Sequence, residues 1–135
     1  MNLKNVEFKI VDFSDLEGKV VKNIKMDDEG DTQEITFEMN SGETYMMYHD
    51  QDCCEHVRVE EIIGGELKDL IGEQILSATE SSNATDDVVI QSRTYTFYLI
   101  ATINHTLNIR WLGESNGYYS ESVSFAELVP KSKVN

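Results

Sequence analysis

The chain has 135 residues, 40% of them apolar, and a net charge of −14 from 11 lysines and arginines against 25 acids. That length fits one domain over residues 1–135, with an ordered core at about 6–129, that folds without a disulfide or metal. The charge argues against direct nucleic-acid binding, which rests on basic groups neutralising phosphates, and against an anionic membrane surface. It leaves a basic protein surface, a cation, or plain solubility.

Met1 to Asn5 carry none of the apolar core or small-residue cleavage site of a signal peptide. No stretch approaches the roughly 20 apolar residues of a membrane span. Val6, Phe8 and Ile10 alternate with Glu7 and Lys9, the period of a half-buried strand. After Gly18, Val20, Val21, Ile24 and Met26 form a second strand, closed by the charged turn Asp27 to Asp31. Ile35, Phe37 and Met39 alternate, Asn40-Ser41-Gly42-Glu43 turns, and Thr44 to Tyr48 returns, which predicts a hairpin. Val57 and Val59 suggest a strand. Glu66 to Ile71 reads as one or two helical turns stopped by Gly72. Ile75, Leu76 and Ala78 suggest another strand, and the polar run Glu80 to Asp87 a loop.

Thr94 to Ile103, rich in aromatic and β-branched residues, is the strongest strand. Thr106 to Leu112 is the next. Gly113-Glu114-Ser115-Asn116-Gly117 reads as a turn into a third strand, Tyr118 to Phe125. Ala126 to Val129 is a strand end or a helical turn. The expected class is mainly β, with α+β open: about seven antiparallel strands in a barrel or two-layer sandwich, with one or two short helices. Exposed edge strands leave a homodimer open.

Two segments carry candidate chemistry. Tyr48 to His56 holds His49, Cys53, Cys54 and His56, ligand types that zinc takes, so zinc is the cofactor to consider and otherwise none. The spacing is poor, and only His105 remains elsewhere as a further ligand. A reactive thiolate is disfavoured, because Asp52 and Glu55 beside the cysteines raise a thiol's pKa. The cysteines otherwise pack as small hydrophobes, or His49, Asp52 and Glu55 belong to a binding loop. Adjacent cysteines form only a strained disulfide, and with no other cysteine the chain suits a reducing cytoplasm. The sequons at Asn83 and Asn104 are then chance matches.

The second segment, Gly113 to Gly117, matches the G-x-S-x-G nucleophile pattern. The residues after it, Tyr118 to Phe125, alternate like a strand, so Ser115 reads as part of a turn rather than an elbow. Trp111, Glu114, Asn116, Tyr118, Tyr119 and Glu121 cluster there as a candidate recognition face, against ordinary cross-strand packing. Convergence of the two segments on one concavity would mark a site.

Tyr48-His49-Asp50-Gln51-Asp52-Cys53-Cys54-Glu55, Leu70-Ile71-Gly72, Thr94 to Tyr98, and Trp111-Leu112-Gly113-Glu114-Ser115-Asn116-Gly117-Tyr118-Tyr119-Ser120-Glu121-Ser122-Val123 together resemble the signature of a family of small proteins found mainly in phages and in bacteria carrying prophages. The resemblance runs from about Leu16 to Leu128. It implies a phage setting and brings no reaction with it.

Three functions are expected. The first is an acidic binding protein that occupies a basic surface of a host factor, such as a nuclease or CRISPR inhibitor acting against host defence in the cytoplasm. The second is a binder that sequesters a signalling nucleotide, stacking a base on Trp111 and Tyr118 near His49, with Arg58, Arg93 or Arg110 on the phosphate. The third is a metal- or thiol-dependent enzyme using His49 to His56. No membrane partner is expected.

Overall fold

A computed structural model describes residues 5–30, 32–86 and 92–131, with the backbone alone for Thr85 and Asp86. Met1 to Lys4, Asp31 of the charged turn and Asp87 lie outside the described residues. Among the described residues nine strands form: β1 (Val6–Ile10), β2 (Val21–Asp27), β3 (Glu34–Met39), β4 (Thr44–Tyr48), β5 (His56–Ile63), β6 (Ser77–Asp86), β7 (Ser92–Ala101), β8 (Thr106–Ser115) and β9 (Ser124–Pro130). They form two antiparallel sheets, ordered β1-β9-β4-β3-β2 and β5-β8-β7-β6. The sheets stack as an open sandwich; the barrel alternative does not form.

Alternation places the core. Ile35, Phe37 and Met39 of β3, Tyr45 and Met47 of β4, and Phe125 of β9 point from the first sheet into the interior. Tyr98 and Ile100 of β7, and Leu107, Ile109 and Trp111 of β8, meet them from the second. Phe13, on a 3-10 turn over Phe13–Leu16, wedges between the layers, its ring centroid 4.7 Å from Tyr98 and 5.1 Å from Phe125. Burial of each such side chain contributes roughly 1.5–3 kcal/mol. Tyr45 closes the cluster by donating its hydroxyl to Asp15 at 2.7 Å.

The β3–β4 hairpin forms as expected, with Gly42 at φ 106° in its turn. The helical turn forms at Leu67–Leu70, where Asp69 accepts the Glu66 N–H at 2.9 Å. Three expectations fail. The polar run from Glu80 is not a loop but the outer half of β6, paired to β7 along its whole length. Ladder hydrogen bonds alone suffice there, because an edge strand needs no apolar alternation where Ser81 to Ala84 face solvent. Gly113 to Ser115 is strand rather than turn. Tyr118 to Val123 is not a returning strand. It crosses to the other sheet, where β9 pairs with β1 and β4. Ala126 to Val129 belongs to β9 and is extended.

Candidate functional site

The chain passes between the sheets at the same end twice, from β4 to β5 through residues 49–55 and from β8 to β9 through 116–123. These crossovers are the two polar segments of the sequence, and they meet. His49 is buried, with Nδ1 2.6 Å from the Ser122 carbonyl and Nε2 2.8 Å from the Glu55 carboxylate. Both partners are acceptors, so His49 bridges the two crossovers. Glu55, also buried, further accepts the N–H groups of Asp52 and Cys53, each at 2.9 Å, while Gln51 reaches the Glu55 carbonyl at 2.8 Å. One carboxylate thus organises the whole first crossover.

A second buried carboxylate does the same for the other crossover. Glu121 accepts from Ser92 at 3.1 Å, from Thr94 at 2.7 Å and from Ser115. Ser115 Oγ also accepts the Gly117 N–H at 3.0 Å. Its hydroxyl is absorbed by this network, no histidine is among its partners, and among the described residues no helix comes after it. Ser115 therefore has neither the base nor the elbow of a nucleophile. Gly113 carries the crossover directly. A Cβ there would lie 2.6 Å from the Glu121 carbonyl oxygen.

Burial works to raise the Glu55 pKa, but the Asp52 and Cys53 N–H groups and the His49 ring outweigh it and lower the carboxyl to about 2. A depressed carboxylate contributes stability that is present above its unfolded value and lost as pH falls through its folded value. The melting temperature is expected to drop from about pH 4.5 toward pH 2. Glu55→Gln should melt lower than the parent at pH 6 and converge with it at the acid end. Parallel curves for the two proteins would mean that Glu55 is not held this way.

Above the tether lies a polar cleft of about 470 Å³ lined by His49, Asp50, Gln51, Asp52, Ser120, Ser122 and Ser124. Asp50, Asp52, Ser120 and Ser122 are exposed around it. Tyr118 projects from the second crossover, 84% exposed, with the Tyr119 ring 5.1 Å away edge to face. Asn116, also exposed, accepts the Tyr118 N–H at 2.9 Å. Because Glu34 pairs with Tyr48, the β2–β3 turn opens at this end too, bringing exposed Asp27, Asp28 and Glu29.

Other candidates fall elsewhere. Trp111 is wholly buried and donates Nε1–H to Met47 Sδ at 3.0 Å, so it joins the sheets and offers no face to a ligand. The base-stacking pocket of Trp111, Tyr118 and His49 does not form. Glu114 sits on the outer face of the second sheet, paired with Arg58 and Arg93. Arg58, Arg93 and Arg110 line no part of the cleft.

The zinc set does not assemble either. Cys53 and Cys54 are joined in a disulfide and both are exposed, which also overturns their packing as small hydrophobes. His49 has no free nitrogen, and Arg58 donates to His56 Nδ1 at 3.1 Å. Among the described residues no three His, Cys, Asp or Glu side chains are grouped to hold a metal ion. No described helix is long and apolar enough to cross a membrane.

Residues 14–125 match the model of a domain of unknown function (DUF7448), and the chain belongs to that family. No curated protein and no solved structure matches it.

Proposed function

We propose that this domain is a binding protein that docks on a basic surface of a host factor, in the host cytoplasm, through the end of the sandwich where the two crossovers meet. The observation that supports it is the tether of His49 to Glu55 and Ser122. It fixes two loops distant in sequence, so the exposed Asp50, Asp52 and Tyr118 are presented already ordered. A surface ordered before binding loses less entropy on association. Acids around an exposed tyrosine supply a charged rim and an aromatic anchor, and a strongly negative molecule is steered toward a positive partner. A phage setting, as the sequence resemblance implies, suits such an antagonist of host defence.

The test is capture from host lysate. Basic, nucleic-acid-handling proteins are expected to be retained at low salt and released as salt rises. Asp50→Lys with Asp52→Lys should weaken capture by roughly tenfold or more. Glu38→Lys with Glu43→Lys, the same charge change at the opposite end of β3 and β4, should weaken it far less. Equal loss in both variants would reduce the effect to net charge and sink the assigned surface.

A further inference from the structure

The chain contains three arginines, Arg58, Arg93 and Arg110, and all three fall on one surface, the outer face of the four-stranded sheet. The register fixes this. Arg58 lies opposite Leu112, Arg93 opposite Glu114, and Arg110 opposite Phe97, and directly opposed residues share a face. Arg58 and Arg93 reach Glu114 at 3.1 and 3.4 Å. Arg110 reaches Glu60 at 2.8 Å and Glu61 at 2.7 Å. The face is therefore charge-balanced on a molecule of net charge −14.

Beside the ion pairs runs an apolar row on β7. Tyr95 and Phe97 are half-buried with stacked rings 6.4 Å apart, and Leu99 is 38% exposed. An apolar row on one inner strand, flanked by charged pairs, has elements of an interface. Among the described residues, two side-chain atoms are buried with no hydrogen-bond partner, Asn108 Oδ1 and Arg110 Nε. Both belong to residues of this face. One accepts and the other donates, two positions apart on β8. Buried polar atoms without partners are rare enough in folded proteins to require a reason.

We infer that this face is the contact between two copies of the chain, packed about a two-fold axis. Such an interface must be self-complementary, since each copy presents the same patch. Here each copy carries both arginine and glutamate, and beneath the face both an acceptor and a donor without a partner. Small side-chain shifts, common on association, would let Asn108 of one copy meet Arg110 of the other. Elsewhere the acids dominate and like charges would oppose contact. Four strands about 4.8 Å apart and about eight residues at ~3.3 Å give roughly 19 by 26 Å, a small interface and hence a weak dimer.

The inference is independent of the basic-partner reading, and salt separates the two. Screening suppresses the repulsion between two acidic molecules, so the dimer should strengthen with salt while capture of a basic partner weakens. Sedimentation of the full chain over rising protein concentration, at about 0.05 and about 0.5 M salt, is expected to show a monomer–dimer equilibrium shifted at least severalfold toward dimer at the higher salt. Phe97→Lys should abolish the dimer by setting two cations against each other. Leu99→Lys, at a more exposed position that folding tolerates, should weaken it at least tenfold, with the parent's circular dichroism spectrum kept. Monomer at every concentration and salt overturns the inference. So does a dimer indifferent to both substitutions, or a monomeric parent that loses a lysate partner on Leu99→Lys, which would give the face to a different protein.

Discussion

Trp111→Ala is expected to cost about 3–5 kcal/mol, the largest loss of any single truncation in the interior. The ring is wholly buried among side chains from both sheets, and its N–H reaches the Met47 sulfur across the interlayer gap. Truncation leaves a cavity that two hydrogen-bonded sheets cannot collapse to fill. Against a typical total of about 5–15 kcal/mol, such a loss approaches unfolding at physiological temperature. Trp111→Phe keeps most of the volume and loses the N–H contact, so it should cost only about 1–2 kcal/mol. Urea titrations followed by far-ultraviolet circular dichroism measure both. Capture assays give an independent reading, because Trp111→Phe should retain the basic partner while Tyr118→Ala reduces it. A folded, stable Trp111→Ala protein that had lost only its partner would return the indole to the binding surface.

The position of Trp111 was legible in the alternation of β8, where Leu107, Ile109 and Trp111 share a side. That parity, and not the neighbouring tyrosines, decides where the indole goes. The β3–β4 hairpin was legible because a period-two pattern and a glycine turn agreed, and the helical turn at Leu67–Leu70 because Gly72 ended it. Three features were not. The outer half of β6 carries no apolar alternation, so only its partner β7 makes it a strand. Asn116-Gly117 has the chemistry of a hairpin turn, yet β9 is claimed by β4 and β1, pairings with no local signal. Glu55 and Glu121 stand among the candidate recognition residues, but their burial and their hold on the crossovers were not legible, since nothing in their spacing distinguishes a carboxylate surrounded by N–H and O–H donors from one in water. The convergence of the two polar segments results from the crossing of β8 into β9, and a hairpin reading of that turn conceals it.

The same crossing makes Gly113 the position where a single methyl group does most to the candidate site. Gly113→Ala is expected to destabilise the fold by about 2–3 kcal/mol and to weaken partner capture beyond what that loss explains. The added Cβ would meet the Glu121 carbonyl oxygen at 2.6 Å and the Glu121 Cβ at 2.7 Å. Glu121 is held where it stands by Ser92, Thr94 and Ser115, and next to it the Ser122 carbonyl accepts from His49. Relief therefore requires the second crossover to lift off β8, breaking bonds to Glu121 or the link to the first crossover. Gly117→Ala supplies the contrast. Its φ of 90° is unfavourable for alanine, but nothing lies within 4 Å of the new methyl, so about 1 kcal/mol is expected and the crossover stays seated. Hydrogen exchange resolves the mechanism: in Gly113→Ala the amides of Asp52 and Cys53, which donate to Glu55, should exchange faster along with those of the second crossover. If only amides near Gly113 change, the two loops move separately, and an end of the sandwich ordered in advance for a partner is the wrong description.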